Sequence, residues 1–292
     1  MGPLARPVLE AYLRRLSLEA EPPSAEALTR LHRRHVERIP YETLWIHGGE
    51  RWGINPHDAA ARIAFQRRGG YCYHLNGAFA ALLHALGYRV ALHAGGVHGP
   101  AGPAPADAGN HLVVTVADLA TDDNPGGDWY VDVGLGDALH QPIPLRPTSV
   151  RQGPFELELR KNTDSTQSDW HLLHDRTGGF TGMAWRTAAP DPALLTTQHE
   201  WLSTSPDSGF VKLGVAQTRD ATGVDVIHGL IVKRIGSHAN TGVALEDRRT
   251  WFSALSDLFG LTFEASPPGT TDRLWEQTVS AHQRWQAAQQ QA

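Results

Sequence analysis

The sequence contains a single cysteine, and this scarcity excludes several classes of site. With Cys72 as the only thiol, the 292-residue chain cannot form an internal disulfide or a metal site built from several cysteines. It also lacks a continuous apolar segment of the length needed for export or membrane spanning, and Arg6 breaks an N-myristoylation motif. We therefore expect a cytoplasmic protein that does not associate with membranes.

Basic residues show no excess either. The chain has 26 lysines and arginines against 31 acidic residues, a net charge of −5, and its basic residues are dispersed. Nucleic-acid-binding proteins carry a concentrated basic surface, so we expect no nucleic-acid partner. A hydrophobic content of 41% is ordinary for globular proteins, and the length is sufficient for two or three structural units.

Hydrophobic periodicity predicts helices first and strands later. The predicted helices cover 8–18, 25–37 and 56–67, followed by one that starts at Cys72. Strands are predicted at 89–97, 111–117, 128–133, 155–160, 170–173 and 182–186. A short helix at 192–202, strands at 211–217 and 224–233, and helices at 246–259 and 272–289 follow. This order favours an α+β fold.

Cys72 lies where a glycine-containing turn passes into a helix. The turn reads Arg68-Gly69-Gly70-Tyr71-Cys72, and an apolar stripe with helical spacing follows it from Leu75 to Leu86. In the first turn of a helix, free backbone N–H groups and the helix dipole stabilise a thiolate. The residues thus allow two interpretations, a reactive nucleophile or an inert buried cysteine.

A base and an orienting acid for such a thiol follow downstream. His111 opens a β-branched run, and Asp132 ends the next strand, between two valines. The two runs are separated by turn-forming residues that permit antiparallel pairing, which would bring the imidazole to the carboxylate. A buried carboxylate needs such a partner. For each residue alone, a structural role in a strand or turn stays open.

Other motifs fit less well. Gly134 and Gly136 begin a dinucleotide-binding pattern but lack its third glycine and a following helix. The spacing of the 16 histidines matches no recognised metal site, so we predict no metal. Ser205 and Ser208 lie in a turn without the glycine frame of a nucleophile elbow.

The three segments around Cys72, His111 and Asp132 together resemble the arylamine N-acetyltransferases. They read Arg68-Gly69-Gly70-Tyr71-Cys72, Asn110-His111 and Asp132-Val133-Gly134-Leu135-Gly136, in the order of the family. Segments 38–42 and 203–210 add to the likeness, which spans about residues 5 to 280. The resemblance implies an N-terminal helical bundle (1–88), a central antiparallel β-barrel (89–190) and a C-terminal α/β lid (191–292).

The resemblance also implies roles for individual residues. Cys72 would accept the acyl group, His111 would act as its base, and Asp132 would orient the imidazole. Glu42 and Arg68 would form a structural ion pair beneath the cysteine. The helix start makes the N–H groups of Cys72 and Tyr73 candidate oxyanion donors. Candidates for the wall of the substrate cleft are His74, Gly134, Leu135, Ser205 and Phe210.

The function that follows is ping-pong acyl transfer. An acyl group, acetyl in the first instance, would pass from acyl-CoA through a Cys72 thioester to an arylamine, hydrazine or other amine. Acyl-CoA would be a substrate, and no tightly bound cofactor is expected. His74, Thr43 and Leu135 depart from the usual pattern of the family, so we also expect His74 to influence substrate choice.

Those departures motivate an alternative in which an amide synthase releases an acyl chain from an acyl carrier protein. A non-catalytic binding homologue is a second alternative. A thiol hydrolase with the same three residues is a third. The identity of the acyl acceptor would separate the first and third, and a trapped acyl-enzyme would exclude the second.

Overall fold

Helices dominate the first part of the chain, as their periodicity predicts. The computed structural model describes residues 2–104, 108–162, 168–236 and 242–290. Ser24 and Asn55 cap the second and fourth helices, each accepting a hydrogen bond from a backbone N–H of the first turn. In chain order the elements are α1 (Arg6–Leu16), α2 (Ala25–Arg38), β1 (Tyr41–Glu42), α3 (Leu44–His47), α4 (Pro56–Gln66) and α5 (Cys72–Ala85).

An antiparallel sheet of eight strands follows. Its strands are β2 (Arg89–His98), β3 (His111–Ala117), β4 (Trp129–Val131), β5 (Ile143–Pro144), β6 (Thr148–Gln152), β7 (Phe155–Lys161), β8 (Trp170–Leu173) and β9 (Gly182–Trp185). Their order in the sheet is β5-β4-β3-β2-β9-β8-β7-β6. The predicted strands are present, and β5 and β6 are additional because they are too short or too polar to show a pattern.

Gln152 joins the two edges of this sheet into a nearly closed barrel. The residue ends the edge strand β6, and it is buried. Its side-chain oxygen accepts hydrogen bonds from the N–H groups of His140 and Gln141, at 2.7 and 3.0 Å. Its side-chain nitrogen donates to the Gln141 carbonyl at 3.0 Å. These residues lead into the other edge strand, β5. The side-chain amide of Gln152 therefore links the two edge strands where they do not pair through backbone hydrogen bonds.

The last part of the chain is mixed. Its elements are α6 (Pro192–Thr204), α7 (Gly209–Lys212), β10 (Val215–Asp220), β11 (Gly223–His228), β12 (Ile231–Gly236), β13 (Val243–Ala244), α8 (Arg248–Phe259) and α9 (Thr270–Gln290). The sheet order is β1-β10-β11-β12-β13, so β1 from the helical part becomes an edge strand here.

Two predicted strands in this region were wrong in part. Residues 211 and 212, the start of the predicted strand 211–217, belong to the short helix α7, because the Ser208 hydroxyl accepts from the Phe210 N–H and caps a turn. The predicted strand 224–233 is the hairpin of β11 and β12. Apolar residues continue through its turn, so periodicity did not reveal the reversal.

The α+β fold class is confirmed, with the barrel in the middle and helices at both ends. Helix α5 is buried along most of its length and packs on β2 and β3. This packing brings the start of α5 to the start of β3 and the end of β4. The domain boundaries at 88 and 190 stay a prediction. Within the described ranges, no helix is long and apolar enough to cross a membrane.

Replacing Gln152 should weaken the contact between the two edge strands of the barrel, β5 and β6. Gln152→Ala removes the partners of the buried His140 N–H and of the partly buried N–H and carbonyl of Gln141, so we expect a loss of about 2–3 kcal/mol in the free energy of unfolding. Urea denaturation measures it. Gln277→Ala, at an exposed position of α9, is the matched control and should be nearly neutral. Equal stability of both variants would argue against a structural role for the hydrogen bonds of the Gln152 side chain.

Candidate active site

Cys72 is the first residue of α5 and is nearly buried, with 4% of its surface exposed. The chain enters the helix through Gly69 and Gly70, and a Cβ on Gly69 would lie 1.8 Å from the Pro40 carbonyl oxygen. The Gly70 carbonyl accepts from the Glu42 N–H at 2.9 Å. The two glycines therefore let the turn approach β1 closely, and that contact sets where the thiol lies.

Arg68, just before the turn, forms a buried ion-pair network. Its guanidinium contacts Glu42 at 3.0 Å and Glu50 at 2.9 Å, and it also donates to Ser266 at 3.1 Å. Burial alone would lower the pKa of Arg68, but the two carboxylates raise it by more than burial lowers it, so the net shift is upward. Glu42 also accepts from the Leu44 N–H at 2.9 Å. The family resemblance implied Glu42 as a partner, but nothing in the sequence indicated Glu50, which lies in an irregular loop.

His111 and Asp132 form a buried pair beside the thiol. The His111 Nε2 lies 2.7 Å from Asp132 Oδ2, and no more than 3% of either side chain is exposed. The antiparallel pairing of β3 with β4 brings them together. Because Nε2 donates to the carboxylate, Nδ1 is the ring nitrogen that can take a proton from sulfur. The Cys72 Sγ also lies 3.6 Å from the Asn110 carbonyl, to which the thiol can donate.

The Asp132 carboxylate is fully hydrogen-bonded. Its Oδ1 accepts from the Asn76 side chain at 2.8 Å and the Gly134 N–H at 2.9 Å, and its Oδ2 accepts from His111 and, at 2.9 Å, the Tyr130 hydroxyl. Sequence reasoning missed Asn76 and Tyr130. Asn76 lies four residues after Cys72 on one helix face, and Tyr130 lies two before Asp132 on one strand face; these spacings were the available signal.

These contacts favour an imidazolium at position 111. Burial alone would lower the pKa of His111, but the Asp132 carboxylate and Cys72 raise it to about 10. Burial would raise the pKa of Asp132, whereas His111, Asn76 and the Gly134 N–H lower it, with a net downward shift. At neutral pH the site therefore holds a positive charge next to Cys72, an arrangement that stabilises a thiolate.

A cleft of about 510 Å³ opens at Cys72 and His111. Gly134, Leu135 and Phe210, predicted for its wall, line it. A Cβ on Gly134 would lie 2.8 Å from the Cys72 Cα, so glycine is needed there. The far wall comes from the last part of the chain and includes Val226, His228, Lys233 and Ile235. Mostly apolar walls with a few polar groups suit a small organic substrate.

The N–H groups of Cys72 and Tyr73 precede the first hydrogen bond of α5, which runs from the His74 N–H to the Tyr71 carbonyl at 2.9 Å. They make no hydrogen bond within the helix, as is usual for the first N–H groups of a helix. This leaves them available to an oxygen atom near the thiol. Within the described residues, no three His, Cys, Asp or Glu side chains gather as metal ligands would.

Two predicted cleft residues are elsewhere. His74 is fully buried and does not line the cleft; its ring stands edge-on to Trp45, Trp52 and Tyr71. The helical rotation that turns it away from the thiol carries it past the cleft wall into this aromatic cluster. Ser205 follows α6 and accepts from the Asp207 N–H at 3.3 Å, so it shapes a turn.

Replacing the buried acid should reduce thiol reactivity. In Asp132→Asn the amide neither stabilises an imidazolium nor fixes its tautomer, so we expect alkylation of Cys72 by iodoacetamide at pH 7 to slow about tenfold or more. Quenched time courses with mass detection measure the rate. Asp128→Asn, exposed just before β4, is the control. A wild-type rate in Asp132→Asn would point to another acid, such as Asp137 in the cleft wall.

His74 should make the fold sensitive to acid. Burial, Arg62 and His199 hold its pKa well below the usual value of 6.5. The unfolded chain takes up a proton near pH 6.5 and the folded chain does not, so stability falls as the pH drops below that value. His74→Phe keeps an aromatic ring and removes this titration.

We therefore expect His74→Phe to reduce the stability loss between pH 7 and pH 5 by about 2 kcal/mol. Urea denaturation at the two pH values gives the difference, from which pH-independent packing effects cancel. His84→Phe, at an exposed position of the same helix, is the control. The same pH dependence in His74→Phe and wild type would contradict a buried neutral histidine.

The chain has relatives of known type along most of its length. It matches the N-acetyltransferase family over residues 24–267. It is 33% identical over 213 residues to an arylamine N-acetyltransferase of Mycolicibacterium smegmatis, covering 70% of this chain and 73% of that protein. With the arylamine N-acetyltransferase of Mycobacterium tuberculosis the identity is 30% over 269 residues, covering 87% and 89%.

Solved structures agree. The arylamine N-acetyltransferase of Mycobacterium marinum in complex with CoA superposes with a TM-score of 0.81 at 26% identity, covering 94% of this chain and 99% of that one. The Nocardia farcinica enzyme superposes with a TM-score of 0.77 at 28% identity, covering 91% and 93%. This chain, with its cysteine and histidine in the cleft and its aspartate buried behind the histidine, belongs to the arylamine N-acetyltransferase family of enzymes.

Proposed function

We propose that the protein transfers an acetyl group from acetyl-CoA to an arylamine or related amine by a ping-pong mechanism through Cys72. The observation that carries the proposal is the placement of Cys72 at a helix start, in a cleft, beside the buried His111–Asp132 pair. The chain's family and the CoA complex of its relative from M. marinum support acetyl-CoA as the donor.

In the first half-reaction, the proton of the thiol resides on His111 Nδ1, and the Cys72 thiolate attacks the thioester carbonyl carbon. The resulting oxyanion accepts from the N–H groups of Cys72 and Tyr73. The carbon–sulfur bond to CoA then breaks, and His111 returns the proton to the departing CoA thiolate. Lys233, exposed at the far wall of the cleft, offers a positive charge to the phosphates of CoA.

In the second half-reaction an amine attacks the Cys72 thioester. His111 accepts a proton from the amine nitrogen, the carbon–sulfur bond breaks, and the proton passes to sulfur, which restores the thiol. Exchange between two thioesters is nearly balanced in energy, and formation of the amide drives the second step. Asp132 stabilises the imidazolium that exists between these transfers.

The carrier-protein alternative loses much of its motivation in the structure. Of the three departures behind it, Thr43 joins the segment before α3 to β10, where its hydroxyl accepts from the Val215 N–H at 3.1 Å. His74 lies in the aromatic cluster, and of the three only Leu135 lines the cleft. A cytoplasmic location, in which Cys72 would stay reduced, remains part of the proposal.

Intact-mass spectrometry tests the mechanism. After mixing with a panel of acyl-CoAs, the wild type should gain the mass of one acyl group, acetyl among them, and lose it again when an arylamine is added. Cys72→Ala should gain none, because its side chain cannot form a thioester. An adduct that persists in Cys72→Ala contradicts the assignment of the nucleophile.

The same experiment separates the alternatives. Acylation only from a phosphopantetheine-linked donor would favour the amide synthase, and loss of the acyl group to water without an amine would favour the hydrolase. Failure to acylate with any donor, in a protein that binds acyl-CoA, would favour the non-catalytic homologue.

A further inference from the structure

Tyr130 contacts the acid of the site directly. It lies on β4, two residues before Asp132, and its side chain is fully buried. Its hydroxyl is 2.9 Å from Asp132 Oδ2, the oxygen atom that also bonds His111 at 2.7 Å. The phenol and the imidazole thus share one carboxylate oxygen.

The direction of this hydrogen bond follows from chemistry. An ionised carboxylate has no hydrogen to give, so the hydroxyl must donate. Burial and the negative Asp132 raise the pKa of the Tyr130 hydroxyl, which keeps its proton. The ring stacks on Trp185 with centroids 4.9 Å apart, and Trp185 is itself buried on β9. This packing holds the hydroxyl at Oδ2.

We propose that Tyr130 is a positioning residue that fixes Oδ2 of Asp132 and weakens the carboxylate's hold on the His111 proton, so that His111 can act as the base in the second half-reaction. The inference rests on the proposed function. Each donor to a carboxylate oxygen takes up part of its negative charge, which leaves less for the next donor.

The second half-reaction depends most on how strongly Asp132 holds the His111 proton. While Cys72 carries an acyl group it has no negative charge, so Asp132 alone stabilises the imidazolium. If Asp132 binds that proton too strongly, the ring stays protonated and cannot accept a proton from the amine. A second donor at Oδ2 moderates the carboxylate and keeps a neutral imidazole accessible at working pH.

Two other titratable groups of the described residues, Cys72 and His32, lie against this pair. Cys72 reaches His111 from the start of α5. On the other side, His32 of α2 places its Nε2 3.0 Å from the Asp132 carbonyl oxygen. Burial lowers the pKa of His32 to about 4, so it is neutral in the range where His111 titrates. The change expected from Tyr130 is therefore separable from other titrations.

The test is Tyr130→Phe, which removes the hydroxyl and keeps the ring. The matched control is Tyr12→Phe, which also removes a buried hydroxyl with a partner, since Tyr12 bonds His35 at 2.8 Å between α1 and α2. The first readout is the pH dependence of amine-driven deacylation of isolated acetyl-enzyme. The second is nitrogen-15 NMR titration of His111 in enzyme whose Cys72 is blocked with iodoacetamide, assigned by comparison with His111→Gln.

We expect both midpoints to rise by roughly half to one pH unit in Tyr130→Phe and to stay in place in Tyr12→Phe. A merely structural role would lower the deacylation rate at every pH without moving its midpoint. Unchanged midpoints in Tyr130→Phe, or equal shifts in both variants, overturn the proposal. If the wild type forms no acetyl-enzyme, the proposed function fails, and the NMR titration still decides the role of Tyr130.

Discussion

The contact of Arg68 with Glu42 and Glu50 holds together parts of the chain that are far apart in sequence. One guanidinium joins the strand β1, the loop after α3 and Ser266 before the last helix. Loss of one partner from a buried ion pair leaves an uncompensated charge and costs about 3–5 kcal/mol. Gly69, Gly70 and the start of α5 follow directly, so the position of the thiol depends on this network.

A second buried charge, the Asp132 carboxylate, is organised differently. Arg68 is balanced by two carboxylates, whereas Asp132 is balanced by the His111 imidazolium of β3 together with neutral hydrogen-bond donors from α5, β4 and its own backbone turn. This arrangement removes the penalty of burying a carboxylate between valines and fixes the orientation of both its oxygens. Asp132 therefore fixes the orientation of the His111 ring, which faces the sulfur of Cys72.

Local patterns brought Cys72, His111 and Asp132 forward as candidates, because a helix start and two strands joined by a polar turn can be read from the sequence. Their roles came from the family resemblance and stay a prediction. Glu50 finds its partner only through tertiary packing, which leaves no periodic signal, whereas the two-residue spacing of Tyr130 and Asp132 was a local signal that was missed. His74 was expected in the cleft wall but packs against Trp45 of the short helix α3 and Trp52 of the loop that follows it, and neither segment shows a periodic pattern.

The far wall of the cleft has a consequence for how such enzymes diverge. Val226 and Lys233 pair across the β11–β12 hairpin, in a different sheet from the strands that carry His111 and Asp132. Substitutions in this hairpin alter the shape and charge met by an incoming molecule, and they leave every hydrogen bond to Asp132 intact. Mutation and selection can thus retune the choice of substrate in one sheet while the chemistry is inherited unchanged in the other.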